Sequence, residues 1–411
     1  MAIETIELAF QTAISASKIN GVIICATNTT NTFTYTHTAG ARTLPSGKSL
    51  PHQLTDILYL ASATKLITTI AALQAIDSGH HHRLSLDSPQ TVSNFAPELL
   101  NKPILFPDGE TLSPSTNLIT LRHLLSHTSG LAYHFLLPYL SSWRDKHELP
   151  LQPSHRRPVE KAFAYPLIFN PGTSWSYGPS LDWVGRILER ATDITLGQHV
   201  QERICKPLGI LPSDAQFYPV KGEDARKRMV DLNPADPEGL GLAVVGGTMD
   251  MNRRSEGDFG GHGLFMTAEG YIKVLQSLLA NDGKLLKRET VEEMFSDQIA
   301  PEAEENAKAV FDGPTGVFYR VGTEGMKVGH GLGGLLTLEG IDGWYGEKTL
   351  TWGGGLSFAW FIDRTNGLCG LCAIQPSMPV DMQILVDLKN TFRHDIYRKY
   401  EAWNKDGQRK L

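Results

Sequence analysis

Apolar residues recur at helical spacing over 3–18, where Ile6, Leu8, Phe10, Ala13 and Ile14 sit among polar neighbours, and this predicts an opening helix. Gly21 to Ala26 is a short apolar run, read as a buried strand. Thr32 to Thr38 alternates aromatic residues with threonine, the period of a half-buried strand. Ser62 to Ile76 is a strongly apolar helix candidate, ended by the turn residues Asp77, Ser78 and Gly79. Its near lack of charge after Lys65 predicts burial on most sides.

From about Asp87 to about Asp236 the pattern changes. Prolines become frequent, and helical segments beginning at Leu121 to Leu125 and spanning Leu181 to Cys205 alternate with loops. Mixed structure then returns, with a helix over Thr267 to Ala280 and strands at Leu350 to Trp352, Ser357 to Asp363 and Leu368 to Ala373. Arg364-Thr365-Asn366-Gly367 joins the last two strands as a hairpin, since Asn-Gly tolerates positive φ. An amphipathic helix over Asp381 to Lys405 closes the chain. This order predicts an α+β fold: an antiparallel sheet, from 1–86 and 240–411, flanked by the N- and C-terminal helices. A mostly helical subdomain, 87–239, is inserted into it, and the expected site lies between the two.

Charge removes one class of function. With 38 basic and 44 acidic residues the net charge is −6. Arg156-Arg157 and Arg226-Lys227-Arg228 are the densest basic patches and read as solvated surface, so nucleic acid is not an expected partner. No apolar stretch reaches the roughly 18 residues a membrane span needs. The N-terminus carries Glu4 and Glu7 with no basic region, unlike a secretory signal; a cytoplasmic protein is expected. Of the four cysteines, Cys369 and Cys372 spell C-x-x-C inside a strand pattern. Residues three apart there point to opposite faces, so buried structural thiols are expected and not a redox pair.

Candidate chemistry comes from serine and lysine. A serine hydroxyl needs a base within hydrogen-bond reach, and Ser-x-x-Lys on a helix supplies an amine on the same face. The pattern alone is weak, with about one chance match expected at this length. It occurs twice, as Ser15 to Lys18 and as Ser62 to Lys65. Lys18 reads as an ordinary solvated helix end. Ser62 instead opens the apolar helix, where free N–H groups and the positive dipole end lie beside it. Lys65 is the lone charge between Asp56 and Asp77. The bland alternative is a helix cap with a snorkelling lysine.

Further motifs in chain order make the pattern specific. Ser174-Trp175-Ser176-Tyr177-Gly178 follows Ser62 by about a hundred residues, and Trp352-Gly353-Gly354-Gly355 lies near the end. Leu124-Leu125-Ser126-His127-Thr128-Ser129-Gly130, Lys206-Pro207-Leu208-Gly209 and Gly261-His262-Gly263-Leu264 accompany them. On these residues the chain resembles the class C serine β-lactamases and family VIII carboxylesterases. Within that group it resembles the fungal acyltransferases that attach or exchange side chains of statin-type polyketides.

The resemblance implies a β-lactamase/transpeptidase-like fold and an acyl-enzyme on Ser62, with Lys65 and Tyr177 moving the proton; either can be the formal base. It implies an oxyanion hole from the N–H groups of Ser62 and Gly355. A strand bulge is the other reading of the three glycines. Tyr133, Trp352, Gly353 and Gly354 are expected to line the substrate pocket, although Tyr133 fits a packing role equally. The expected function is acyl transfer from an ester or thioester to a hydroxyl of a bulky hydrophobic acceptor. Hydrolysis by the same acyl-enzyme is the alternative, and a noncatalytic binding protein on this fold is the rival of another class. An acyl carrier protein is a candidate donor by analogy, and no cofactor is called for. Two departures count against β-lactam turnover: Trp352 replaces the Lys of Lys-Thr-Gly, and Pro179 removes Tyr-x-Asn. His80-His81-His82 and His123/His127 are expected to be solvated or structural, since H-E-x-x-H is missing and no metal is expected.

Overall fold

The computed structural model describes residues 4–43, 49–79, 84–147, 158–217, 220–230, 257–314, 316, 322–323, 325–355, 357–377 and 379–408. The expected boundary at 239/240, His80-His81-His82 and Arg156-Arg157 lie outside these residues.

Thr5 caps the first helix, its side chain accepting from the N–H of Leu8. Helix α1 (Ile6–Ser15) then buries Ile6, Ala9, Phe10 and Ala13. It ends before Lys18, which lies outside the helix and pairs with Asp381 at 3.3 Å on the surface. The chain enters strands β1 (Ile19–Asn28), β2 (Thr34–Thr43), β3 (Ser49–Pro51) and β4 (Ile57–Tyr59). Helix α2 (Thr64–Asp77) follows a short 3₁₀ turn, Ala61–Ala63.

The middle of the chain is built from α3 (Pro89–Phe95), the two-residue strands β5 (Ile104–Leu105) and β6 (Leu112–Ser113), α4 (Leu121–Leu125), α5 (Pro138–Lys146) and α6 (Val159–Ala162). Next come α7 (Ser180–Thr192), α8 (Leu196–His199), β7 (Ala215–Phe217) and α9 (Glu223–Arg228). The last part holds β8 (Leu264–Thr267), α10 (Ala268–Ala280), α11 (Arg288–Met294), α12 (Glu304–Phe311), β9 (Val328–His330), β10 (Leu335–Thr337), β11 (Leu350–Gly354), β12 (Phe358–Asp363), β13 (Leu368–Pro376) and α13 (Met382–Gln408).

Eight strands form one antiparallel sheet in the order β3-β2-β1-β13-β12-β11-β10-β9. First and last strands therefore meet at its centre, with Ile24 opposite Cys372. Both central strands are buried on two faces, and the alternation sorts their side chains. Ile23, Cys25, Cys369 and Leu371 join the larger core with α2; Val22, Ile24, Cys372 and Ile374 join a second core under α1 and α13. The C-x-x-C thiols accordingly lie on opposite faces, and all four cysteines are buried and free. The terminal helices flank the sheet together. They share one face, where Asp395 of α13 accepts from the N–H of Ile6 at 2.8 Å. In the hairpin, positive φ falls on Gly367 (69°), while Asn366 spends its side chain on Asp363.

Helix α2 is buried from Thr64 through Leu73 and packs against α7, while α10 lies on β1, β13 and β12. Its threonines satisfy their hydroxyls locally: Thr69 donates to the carbonyl of Lys65 at 2.9 Å and Thr68 to that of Gly260 at 2.7 Å. No described helix is long and apolar enough to cross a membrane.

Candidate active site

Short strand β4 carries the chain to Ser62. It pairs with β8, and the N–H of Leu60 donates to the carbonyl of Leu264 at 3.0 Å. Ala61 then takes φ of +44°, an uncommon conformation for a residue with a Cβ, and turns the chain sharply. Ser62 does not open the α-helix as expected; it sits in the 3₁₀ turn, and α2 begins at Thr64. The contact to Lys65 survives, because side chains at i and i+3 also line up in 3₁₀ geometry.

Lys65 is 2% exposed, and its ammonium donates to three oxygens: Ser62 Oγ at 3.3 Å, Tyr133 OH at 3.3 Å and the Gly261 carbonyl at 2.7 Å. It also lies 4.7 Å from the ring centre of Tyr177, within cation–π range. The Tyr177 hydroxyl donates to Ser62 Oγ in a short contact. Serine, amine and phenol therefore meet.

Tyr177 arrives on the loop before α7. Ser176 N–H donates to the His127 carbonyl at 3.0 Å, and Tyr133 N–H donates to the Tyr177 carbonyl at 3.1 Å. Gly178 makes this approach feasible: a Cβ there would lie 2.2 Å from the Leu131 carbonyl oxygen. The ring then packs among His127, Tyr133 and Trp352, at centroid distances of 5.1, 5.2 and 5.3 Å. Burial holds Tyr133 well above the ordinary phenol range, with the Asp182 charge adding to it. Tyr133 therefore stays protonated at neutral pH and is no candidate for the base.

The end of β11 closes the site. A Cβ on Gly354 would lie 1.9 Å from the Leu60 carbonyl oxygen, so glycine alone lets this strand lie against the Ser62 turn. Gly355, exposed and at φ +54°, faces Ala61, and Gly353 stays in the ladder opposite Ala359. Trp352 is buried against Tyr177 and, at 5.9 Å, His330. Ser62, Lys65, Tyr133, Tyr177 and Trp352 thus gather in contact, with Gly354 and Gly355 at the end of β11 lying against the Ser62 turn.

Behind them lie His127, expected to be solvated or structural and found buried, and His330, which the sequence did not single out. His127 and His330 stack edge-on at 5.5 Å, fully enclosed. Burial pushes His127 well below the usual imidazole range, and His330 down to about 4. Both are neutral supports of the aromatic wall. His123 instead belongs to the capping box of α4, its ring nitrogen accepting from the Thr120 N–H at 3.3 Å. Among the described residues no cluster of His, Cys, Asp and Glu is placed to hold a metal. Asp182, fully buried, was also missed. It lies five positions after Tyr177 in the first turn of α7, where a single sequence shows only an ordinary helix-start carboxylate.

Comparison with known proteins follows the same lines. A family profile described as Beta-lactamase matches residues 9–375. A lovastatin esterase of Penicillium rubens is 55% identical over 96% of this chain and 98% of its own length. A monacolin J acid methylbutanoyltransferase of Aspergillus terreus is 37% identical over 96% of this chain and 95% of its own length. In structure, an Aspergillus terreus simvastatin synthase mutant superposes with a TM-score of 0.82 at 36% identity, covering 97% of this chain and 95% of its own.

Proposed function

The chain belongs to the β-lactamase family, and on that premise we propose that it is a serine esterase that removes an acyl side chain from a statin-type polyketide ester through an acyl-enzyme on Ser62. The observation that carries this reading is the meeting of Ser62 Oγ with the Lys65 ammonium at 3.3 Å and with the Tyr177 hydroxyl. In the proposed cycle one member of the Lys65–Tyr177 pair has first released its proton to solvent; Ser62 then attacks the ester carbonyl, its proton passes into that vacancy in the pair, and the pair returns it to the departing alcohol. Water then attacks the acyl-enzyme by the reverse route. The N–H groups of Ser62, in a helix first turn, and Gly355, beside Ala61, are the proposed oxyanion donors. Tyr133, Trp352, Gly353 and Gly354 are the proposed pocket wall, formed from 87–239 on one side and the sheet part, 1–86 with 240–411, on the other.

Greater identity to the lovastatin esterase than to the methylbutanoyltransferase, 55% against 37%, favours water as acceptor. Transfer to an alcohol is the second reading, favoured by the 0.82 TM-score to the simvastatin synthase. The acyl-enzyme is common to both. Its donor in the transfer direction is a thioester, free or on an acyl carrier protein. A cytoplasmic enzyme fits its four free buried thiols, and cell fractionation checks this.

Incubation with lovastatin, and separately with a short acyl thioester plus the deacylated alcohol, tests the reading by product analysis. Free acid and alcohol from lovastatin support hydrolysis; new ester from the thioester supports transfer; a faster rate from a carrier-bound thioester supports the protein donor. Intact mass after a fluorophosphonate distinguishes a noncatalytic protein: one adduct is expected on the native chain and none on Ser62→Ala. An unlabelled native chain that forms neither product sinks the proposal.

A further inference from the structure

Lys65 is a buried cation, and a buried charge is tolerated only when it is well partnered. Two of its three oxygens belong to groups that are themselves held. Gly261 accepts from Lys65 through its carbonyl at 2.7 Å and donates through its own N–H to Asp182 Oδ1 at 2.8 Å. Tyr133 accepts from Lys65 at 3.3 Å and donates to Asp182 Oδ2 at 3.5 Å, a long bond. Both arms end on one carboxylate, which is completely enclosed. Glycine is required in one arm, since a Cβ on Gly261 would lie 2.2 Å from Asp182 Oδ2. His262 presses on the same carboxylate, Nδ1 to Oδ1 3.2 Å. The Gly261-His262-Gly263 segment, a motif with no assigned role, is in this way the wrapping of a buried carboxylate.

We propose that Asp182 is a positioning residue of the acyl-transfer reaction: through Gly261 and Tyr133 it fixes the Lys65 ammonium beside Ser62 and supplies the negative charge that this buried cation faces. The inference rests on the Ser62 acyl-enzyme reading above. It assigns Asp182 a part in catalysis distinct from that of a helix-start carboxylate, which would stabilise α7 and leave proton transfer alone. The titratable groups around Lys65 are His127, Tyr133 and Tyr177 on the two loops, Tyr59 on β4 near Tyr133, Asp182 on α7 and His262 beside it. The carboxylate among them is Asp182. Its removal makes the Lys65–Tyr177 pair give up its proton more easily, whichever member holds it.

The test is Asp182→Asn, which keeps shape and removes charge, assayed on a p-nitrophenyl ester across pH. Expected is a fall in kcat of about 10- to 100-fold with KM within about twofold. The acid limb of kcat/KM moves down by about one pH unit. A purely structural role would lower Tm and leave that limb in place. Asp182→Glu restores the charge at the expense of fit, so it keeps the native limb with a reduced kcat; this variant decides the matter if Asp182→Asn fails to fold. Tyr133→Phe cuts one arm and adds little to the loss in the double variant. Native kcat and an unmoved acid limb in Asp182→Asn overturn the proposal. A native chain that a fluorophosphonate does not label at Ser62 overturns the acyl-enzyme reading and this inference with it, whereas normal labelling with an indifferent Asp182→Asn overturns the inference alone.

Discussion

Single atoms decide most of this site. The Tyr177 hydroxyl touches Ser62 Oγ, and on the proposed cycle Tyr177→Phe is expected to lower kcat by about 10²- to 10⁴-fold with the fold intact, measured by ester turnover beside a thermal melt. Neighbouring glycines on β11 give opposite expectations. A methyl on Gly354 meets the Leu60 carbonyl oxygen at 1.9 Å, whereas one on Gly355 meets at 3.8 Å the side chain of Ala61. Gly354→Ala is therefore expected to displace the Ser62 turn and abolish turnover. Gly355→Ala pays only for its positive φ, about 1–2 kcal/mol, read as a lower denaturation midpoint with measurable activity left. Trp352 stands where a lactamase-like site would need a cation for the substrate carboxylate. Turnover of a chromogenic cephalosporin should be slow or undetectable; rapid colour change would contradict that account.

At the level of elements, the terminal helices and the catalytic turn lie on opposite faces of one sheet. Helix α13 is pinned by the Tyr397 hydroxyl, which donates to the buried Asp363 of β12 at 2.6 Å. Tyr397→Phe leaves that carboxylate short of a donor and should cost about 1–3 kcal/mol in a urea unfolding series, while kcat/KM of the folded fraction stays native. The strongly periodic segments were legible in advance. α2, α10 and α13 each fall within a few residues of their expected spans, because a buried stripe of apolar residues needs no partner to be recognised. Short β4, β8, β9 and β10 were not, since runs of three or four residues carry too little period. Yet β4 and β8 are the pair that delivers Ser62.

For the whole molecule, acid stability follows from the enclosed imidazoles. Burial pushes the His330 imidazole down to about 4 in the folded chain, against about 6.5 for a free imidazole. A base with a depressed folded pKa binds protons preferentially when unfolded. Its contribution to stability is therefore full above about pH 6.5 and lost as pH falls toward 4, reaching about 2 kcal/mol by pH 5. His127 is shifted the same way and adds to the loss. Urea midpoints at pH 7.5 and pH 5 should differ accordingly, and His330→Phe should narrow the gap; an equal gap in that variant would count against this origin.

The helical and strand periods, with the chain order of Ser62-x-x-Lys65, Tyr177 and Trp352-Gly353-Gly354-Gly355 and the family it resembles, were enough to read the fold class and to propose the chemistry. Those features are local: spacing along one helix, alternation along one strand, a residue type at one position. Only the folded chain decided that α1 and α13 share a face, that Tyr133 is held protonated while Tyr177 reaches Ser62, and that Asp182 stands behind Lys65 through Gly261. Each of these depends on burial and on distances between segments tens to hundreds of residues apart, and no periodicity encodes a distance of that kind.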